Sequence, residues 1–385
     1  MISSPMKRSL ISLAVSLVLL LTFACKRSTQ ETTGAPDSGN FKIGVFVDLS
    51  GPTSSAGQSI KNAIEIARDE INQAGGINGR QIEVIVEDDK GTSEQAVAAV
   101  TNLISDKVHV LLGDASTPSV MAATEAQQAH VPLVTLSTSD PKITQQGDYV
   151  FNVAALDSLQ GNELGVYGAA NLNAKTAAIM IENGSDYSKS LAQAFEQAFT
   201  KAGGQVTAKQ TYAAGSQSFT EQLNSIRGSN PDVIYIPGNA AEAGLICKQA
   251  KELGLKSVLL GADRWNSAKF FEVSGKASDG SYTTGSYSAD DPSPAVRAFN
   301  SAYKRRLNSA PDQSAALAYD AVRVFADALK RAGSSNATKL RDALAATDKF
   351  PGITGNITIG ADRAATRPAL IFKLQDGKSF PVYRE

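Results

Sequence analysis

Residues 42–89, KIGVFVDLSGPTSSAGQSIKNAIEIARDEINQAGGINGRQIEVIVEDD, contain the pattern that decides the fold. The stretch opens with a buried-strand pattern over 42–50, and the Gly-Pro pair that follows ends the predicted strand. Apolar residues then recur at helical spacing from Ile60 to Ile71, and a Gly-Gly pair ends the predicted helix. A second strand pattern occupies 81–89. The stretch therefore predicts a β-α-β unit with parallel strands.

The same alternation of strand and helix continues to the end of the chain. Two successive blocks of it exceed the usual size of one domain, and a length of 385 residues predicts roughly two or three domains. The fold class predicted from the sequence is therefore α/β, with two doubly wound parallel-sheet lobes. Further strands are predicted at 108–113, 131–138, 149–155, 176–183, 232–238, 257–263, 355–360 and 368–377.

The composition excludes several classes of protein. Hydrophobic residues make up 42% and charged residues 19%, which are ordinary globular values rather than those of a disordered or fibrous chain. Lys and Arg number 37 against 38 Asp and Glu, so no basic field favours nucleic acid as a partner. Two cysteines and two histidines argue against a disulfide scaffold and a His/Cys metal site. No cofactor is predicted.

The N-terminal residues have the pattern of an export signal. Two basic residues precede an apolar run over 10–24, which is shorter than the ~20 residues that span a bilayer. The run ends in Leu-Thr-Phe-Ala-Cys, which resembles the lipobox of bacterial lipoproteins. We therefore expect a lipoprotein signal peptide over 1–24, lipidation of Cys25 and a flexible tether over 25–40. An ordinary cleaved signal is the alternative, and it also exports the chain.

Catalytic motifs are missing from the sequence. It contains no Walker loop, no GxGxxG after a strand, no HExxH and no GxSxG. A hydrolase would need a nucleophile paired with a base, and His109 and His130 lie outside the hydroxyl-rich segments. We therefore expect a binding protein and not an enzyme. An α/β hydrolase stays as the alternative, which a turnover screen with ester or phosphate substrates would test.

Hydroxyl side chains gather where predicted strands end. Segments 50–55, 114–117 and 137–139 are rich in Ser and Thr, and each precedes a helix. Hydroxyls and helix N-terminal amides at the carboxyl edge of a parallel sheet can cradle a carboxylate or a phosphate, although plain N-caps would look the same. The second block places Tyr187 and Asp263 after its strands. A carboxylate and aromatic rings facing hydroxyls suit a zwitterion.

These features resemble the leucine/isoleucine/valine-type periplasmic binding proteins, the type I solute-binding family that serves ABC importers. The similarity covers residues 41–385 and implies two lobes joined by a three-segment hinge. Lobe one is expected at 41–156 plus 288–361, and lobe two at 157–287 plus 362–385. Besides 42–89, the segments that carry the resemblance are 131–144 (VPLVTLSTSDPKIT), 155–161 (ALDSLQG), 257–267 (SVLLGADRWNS) and 316–322 (ALAYDAV).

The resemblance assigns the charged ends of a ligand to five residues. Ser116 and Thr117 match one position that holds the ligand α-carboxylate, and Thr138 and Ser139 match the other. Ser139 also meets the α-ammonium in that pattern, and Thr138 offers its backbone carbonyl. Asp263 matches the acidic partner of the ammonium.

The remaining site residues include two departures from the family. Tyr187 matches an aromatic residue that closes on the ligand, and Asp157 matches an acid near the first hinge crossing. Ala56 and Asn239 stand where relatives have aromatic residues, and Arg264 stands where the related pattern usually has Gly. These differences predict a wider or more polar pocket than strict leucine specificity requires.

The resemblance implies an extracytoplasmic binding lipoprotein of an ABC importer. We expect it to bind a branched-chain or related amino acid between the lobes by hinge closure, without a metal or cofactor. The expected partners are the amino acid, a membrane permease and the membrane itself, through Cys25. The protein is expected in the periplasm or at the cell surface, as a monomer that binds no nucleic acid. A ligand-sensing receptor of the same fold and a binder of a non-amino-acid carboxylate are the alternatives.

Overall fold

A five-stranded parallel sheet forms the first half of the fold. The computed structural model describes residues 39–113, 119–136, 142–154, 157–367 and 370–384. The strand order in this sheet is β2-β1-β3-β4-β5, and every neighbouring pair is parallel. Its strands are β1 (Phe41–Val47), β2 (Ile82–Asp88), β3 (Val110–Gly113), β4 (Leu133–Thr135) and β5 (Val150–Asn152). The connecting helices are α1 (Ser54–Gln73), α2 (Ser93–Ser105) and α3 (Ser119–Gln128).

Both faces of the first sheet are buried because its strands carry apolar residues at successive positions. Ile43, Val45 and Val47 of β1 pack on one face with α1, whereas Phe46 packs on the other face with α2 and α3. A Cβ atom on Gly113 would lie 2.0 Å from Cζ of Phe46. Glycine is therefore required where β3 passes this ring.

A seven-stranded sheet forms the second half, in the order β15-β14-β10-β9-β8-β6-β7. The strands from β6 to β10 are parallel, whereas β14 and β15 are antiparallel to their neighbours. The strands are β6 (Thr176–Glu182), β7 (Gln205–Tyr212), β8 (Val233–Ile236), β9 (Val258–Gly261), β10 (Tyr282–Gly285), β14 (Leu370–Gln375) and β15 (Lys378–Arg384). The helices are α4 (Asp157–Ala170), α5 (Asp186–Lys201), α6 (Thr220–Arg227), α7 (Ala240–Glu252) and α8 (Ala268–Ser274).

The second sheet also has an apolar cluster on each face. Ile234 and Ile236 of β8 face α6 and α7, whereas Val233 and Tyr235 face α4 and α5. Cys247 of α7 is fully buried in the first of these clusters, and burial raises the pKa of its thiol.

The chain then returns to the first sheet. Helices α9 (Pro294–Leu307), α10 (Gln313–Ala332) and α11 (Ala337–Ala345) contribute to the apolar cluster that covers β1. A small antiparallel sheet of β11 (Phe350–Gly352), β12 (Gly355–Ile359) and β13 (Ala365–Thr366) follows.

The crossing segments are bonded to the sheets beside them. The amide of Asn152 donates to the carbonyl of Arg363 at 3.0 Å, so the end of β5 meets the chain near the predicted third crossing. The amide of Ser286, just after β10, donates to Oε1 of Gln313 at the start of α10 at 2.8 Å.

A buried polar network lies beside the small sheet. Asp320 of α10 is fully buried and accepts hydrogen bonds from the amides of Ile353 and Thr354, each at 2.9 Å, and from the Thr354 hydroxyl at 2.6 Å. The Arg367 guanidinium donates to the same hydroxyl. Burial lowers the pKa of Arg367 to about 10, although Asp320 opposes that shift. The network fixes the turn between β11 and β12 against α10.

The predicted α/β fold with parallel-strand sheets is confirmed. The sequence predicts 368–377 as the last strand of the chain, and the structure adds β15 after it as an edge strand. Phe380 and Val382 flank Pro381, a residue that disfavours a strand prediction, and both side chains are exposed. The lobe boundaries given in the sequence analysis stay a prediction.

Candidate functional site

Three neighbouring strands of the second sheet end beside the predicted site. The order β9-β8-β6 brings the segments that follow these strands together at the carboxyl edge of the sheet. Tyr187 follows β6, Asn239 follows β8 and Asp263 follows β9. Ligands of open α/β sheets bind at this edge.

Tyr187 and Asp263 are in direct contact. The phenol hydroxyl donates a hydrogen bond of 2.6 Å to Oδ1 of the carboxylate. Tyr187 is placed by an N-cap, since Ser185 accepts from the Ser188 amide at 3.1 Å and so puts Tyr187 in the first turn of α5. Asp263 begins a single 3₁₀ turn, Asp263–Trp265, directly after β9.

Gln160 supports Asp263 from α4. Its Oε1 accepts from the Asp263 amide at 3.3 Å and from the Thr284 hydroxyl at 2.8 Å, and the side chain is buried. In the family resemblance, the residue of this segment, ALDSLQG, that is assigned to the site is Asp157 and not Gln160. A polar residue one turn into a helix gives no signal of what it will bond, so this role is visible only in the structure.

Asn239 is bonded within the protein. Its Nδ2 donates to both oxygens of Glu182, at 3.0 and 2.9 Å, and Glu182 is only 4% exposed. Its Oδ1 accepts from the guanidinium of Arg264, whose Cζ lies 3.7 Å from the centre of the Tyr187 ring. Glycine precedes Asn239 because a Cβ atom on Gly238 would lie 1.9 Å from the Tyr212 hydroxyl.

A chain of polar contacts therefore runs through the site: Glu182 to Asn239, to Arg264, to Tyr187, to Asp263. Four of these residues stand out in the sequence, Tyr187 and Asp263 by their positions after strands and Asn239 and Arg264 as departures from the family. Glu182 was missed because it falls inside a predicted strand. Burial raises the pKa of the nearby Tyr212 phenol, and the charge of Glu182 adds to that shift.

At the first sheet, two of the hydroxyl side chains after β1 donate hydrogen bonds within the protein. Asp48 is 2% exposed and accepts 2.7 Å bonds from both the amide and the hydroxyl of Thr53. Burial opposes ionisation of Asp48, but these bonds and one from the Gly51 amide lower its pKa. The Ser50 hydroxyl donates to Asp88 at 2.6 Å. Two hydroxyls of this segment thus stabilise the turn that leads into α1.

Ala56 lies in the first turn of α1 and is half-buried. The other predicted residues of this edge lie outside the described residues: Ser116 and Thr117 follow β3, and Thr138 and Ser139 follow β4. Asp157 begins α4, but its side chain is outside the described part of the chain. Cys25 and the signal segment also fall outside it. The binding roles assigned to all of these residues stay predictions.

Both histidines have structural contacts. Nδ1 of His109 accepts from the Lys42 amide at 3.0 Å, which ties the start of β1 to the segment before β3. His130 packs edge-on against Tyr149, with ring centres 5.2 Å apart.

The described residues offer neither a metal site nor a membrane span. Within the ranges given above, no group of three or more His, Cys, Asp or Glu side chains could hold a metal ion. No described helix has the length and apolar character needed to cross a membrane.

Comparison with known proteins gives consistent matches along the body of the chain. A family model described as "Periplasmic binding protein" matches residues 40–379. The leucine-, isoleucine-, valine-, threonine-, and alanine-binding protein of Pseudomonas aeruginosa is 29% identical over 318 residues, which are 82% of this chain and 84% of that protein.

Two solved structures are similar over nearly the same length. The branched-chain amino acid transporter substrate binding protein LivJ of Streptococcus pneumoniae, in complex with isoleucine, is 32% identical with a TM-score of 0.77. The match covers 90% of this chain and 100% of that one. The leucine binding protein LivK of Thermotoga maritima is 30% identical with a TM-score of 0.76, over 89% of this chain and 98% of that one.

Proposed function

Because this chain belongs to the periplasmic binding protein family, we propose that it is the extracytoplasmic solute-binding protein of an ABC importer, with a branched-chain or related amino acid as its ligand. The observation that carries the proposal is the pair of Tyr187 and Asp263 at the carboxyl edge of a parallel sheet. The ligands named for the similar proteins, isoleucine, leucine and other small amino acids, support it.

The proposed mechanism begins with the ammonium group of the ligand. It takes the second oxygen of Asp263, while the Tyr187 hydroxyl continues to donate to the first. Ser116, Thr117, Thr138 and Ser139 of lobe one hold the carboxylate. One charged end of the ligand binds to each lobe. The ligand therefore binds the closed arrangement more tightly than the open one and shifts the population towards it.

Hinge closure then removes the ligand from water. Buried charged groups cost free energy unless they are paired, so a molecule without both an ammonium and a carboxylate loses affinity. No bond is made or broken in this cycle, and we propose that the protein is not an enzyme. His109 and His130 serve structural contacts in this account.

The closed form docks on a membrane permease as a monomer. We propose that acyl chains on Cys25 hold the protein at the membrane, and that residues 25–40 form the tether that lets the body move. The protein then works in the periplasm or at the cell surface.

A thermal-shift panel of the twenty common amino acids tests the proposal on the full chain. Any ligand that binds only the folded state raises the melting temperature by mass action, by about 2.7 kcal/mol of stability at a concentration of 100 times Kd. We expect shifts with small branched amino acids and none with free amines or free carboxylic acids of similar size. No shift with any of the twenty would overturn the amino-acid assignment.

A further inference from the structure

The guanidinium of Arg264 is held in a fixed place over the site. Its Cζ lies 3.7 Å from the centre of the Tyr187 ring, and it donates a hydrogen bond to Oδ1 of Asn239. A guanidinium that stacks on an aromatic face gains a cation–π attraction, and its planar fork then points in a defined direction. Arg264 therefore covers one face of the Tyr187 ring.

A buried carboxylate sets the direction of this contact. Glu182 can only accept hydrogen bonds when ionised, so it forces the Nδ2 group of Asn239 towards itself. Oδ1 of Asn239 must then point at Arg264. The guanidinium is positioned from two sides, by the ring below it and by an amide that cannot flip without losing two bonds.

Arg264 keeps unused donors beside Asp263. A guanidinium has five N–H donors, and the only hydrogen bond from this side chain found among the described residues goes to Asn239. Tyr187 touches both Arg264 through its ring and Asp263 through its hydroxyl. The guanidinium donors thus lie over the ring face of the phenol group that is bonded, at its hydroxyl, to the proposed acceptor of the ammonium.

We propose that Arg264 is a specificity-determining residue that selects amino acids with a hydrogen-bond acceptor on the side chain. An aliphatic ligand side chain packed against the guanidinium removes water from the N–H donors of Arg264 without replacing the lost hydrogen bonds. A side-chain oxygen of the ligand accepts hydrogen bonds from the same donors. This inference rests on the proposed function, because it needs the ammonium of an amino acid at Asp263.

Threonine and valine provide the test, because they have nearly the same shape and differ by one hydroxyl. Titration calorimetry of the full chain should give an affinity for threonine at least about tenfold above that for valine, since hydrogen bonds to charged groups are the stronger class. Arg264→Met keeps the length and apolar contact of the side chain but removes the donors. We expect it to bring the threonine-to-valine ratio to about one.

Arg80→Met is the matched control. The Arg80 guanidinium also lies 3.7 Å from the centre of an aromatic ring, that of Phe41, at the start of β1 and away from the carboxyl edge of either sheet. This variant should keep the wild-type ratio. Melting curves recorded without ligand serve to check that both variants are folded.

The possible outcomes distinguish failure of this inference from failure of the proposed function. Equal affinities for threonine and valine in the wild type, or an unchanged ratio in Arg264→Met, overturn the role of Arg264 and leave the proposed function standing. Failure of every amino acid to bind the wild type overturns the proposed function, and this inference with it.

Discussion

Tyr187 and Asp263 are joined by a 2.6 Å hydrogen bond that spans strand β8, because Tyr187 follows β6 and Asp263 follows β9 on either side of it. The bond uses Oδ1 of Asp263. No partner of Oδ2 is found in the part of the chain that the structure describes. One oxygen is therefore bonded within the protein, and we propose that the other accepts a hydrogen bond from the ligand ammonium.

Replacement of Asp263 by Asn should weaken amino-acid binding. The substitution keeps the shape of the side chain but removes the charge, so the ligand ammonium stays buried without its counter-charge. We expect a loss of about 2 kcal/mol or more, roughly 30-fold in Kd by calorimetry. Asp186→Asn is the control, since that carboxylate is 90% exposed at the start of the same helix as Tyr187. Unchanged affinity in Asp263→Asn would remove Asp263 from the site.

Ala56→Trp should narrow the range of accepted ligands. Ala56 is half-buried in the first turn of α1, and an indole there fills space that a longer ligand side chain needs. The thermal-shift profile should lose the larger amino acids and keep the smaller ones. Ala74→Trp, at the exposed C-terminal end of the same helix, should leave the profile unchanged. If both variants keep the wild-type profile, residue 56 does not line the pocket.

We expect the stabilisation that Asp48 contributes to the free energy of unfolding to be lost in acid. Hydrogen bonds from Thr53 and Gly51 lower its pKa in the folded state, so its contribution is complete above the unfolded pKa of about 4. The contribution is lost as the pH falls below that value through the lower folded pKa, because protonation then favours the unfolded state. Denaturant unfolding at pH 7 and pH 3 measures it.

The Asp48→Asn variant isolates this effect. The variant should lose about 1–3 kcal/mol of unfolding free energy at pH 7. The carboxylate accepts hydrogen bonds with both oxygens, whereas the Asn side chain has one oxygen and places its NH₂ group against the donors of the turn. The deficit should shrink as the pH falls from 7 to 3, because the contribution of the wild-type carboxylate decreases once the unfolded chain binds a proton more readily than the folded one. An equal deficit at both pH values would mean that the charge of Asp48 does not matter.

Asp320→Asn should destabilise the protein far more than a similar change on the surface of the same helix. The substitution leaves the Arg367 guanidinium, which is 7% exposed, facing a neutral group, and breaking a buried charge network costs about 3–5 kcal/mol. Asp327→Asn removes an exposed i,i+4 pair with Arg331 and should cost less than about 1 kcal/mol. Urea unfolding compares the two, and similar small losses would contradict a structural role for the Asp320 charge.

Cys25→Ser should release the protein from the membrane. Serine cannot carry the thioether-linked lipid, so the chain loses its proposed anchor while its body is unaffected. Fractionation of cells should move the protein from the membrane to the soluble exported fraction, and Cys247→Ser, a change inside a buried cluster, should not. Retention of Cys25→Ser on membranes would rule out this anchor.

The amino-acid sequence by itself determined the α/β class and the edge of the sheet where function is proposed. Strand and helix periodicity are local properties, so the unit over 42–89 could be recognised without any tertiary information. The positions of Tyr187 and Asp263 after their strands followed from the same patterns. The edge strand β15 was not predicted from the sequence, because Pro381 lies in the middle of it and argues against a strand.

Only the tertiary structure decided which polar groups are partners. The order of strands puts β8 between β6 and β9, and this is what lets Arg264 reach both Asn239 and the Tyr187 ring. The pairing of β1 with β2 also commits the hydroxyl of Ser50 to Asp88, although in sequence this hydroxyl looked like a ligand donor. A hydroxyl or a guanidinium bonds to whatever the folded chain brings within about 3 Å, and residues distant in sequence supply those partners.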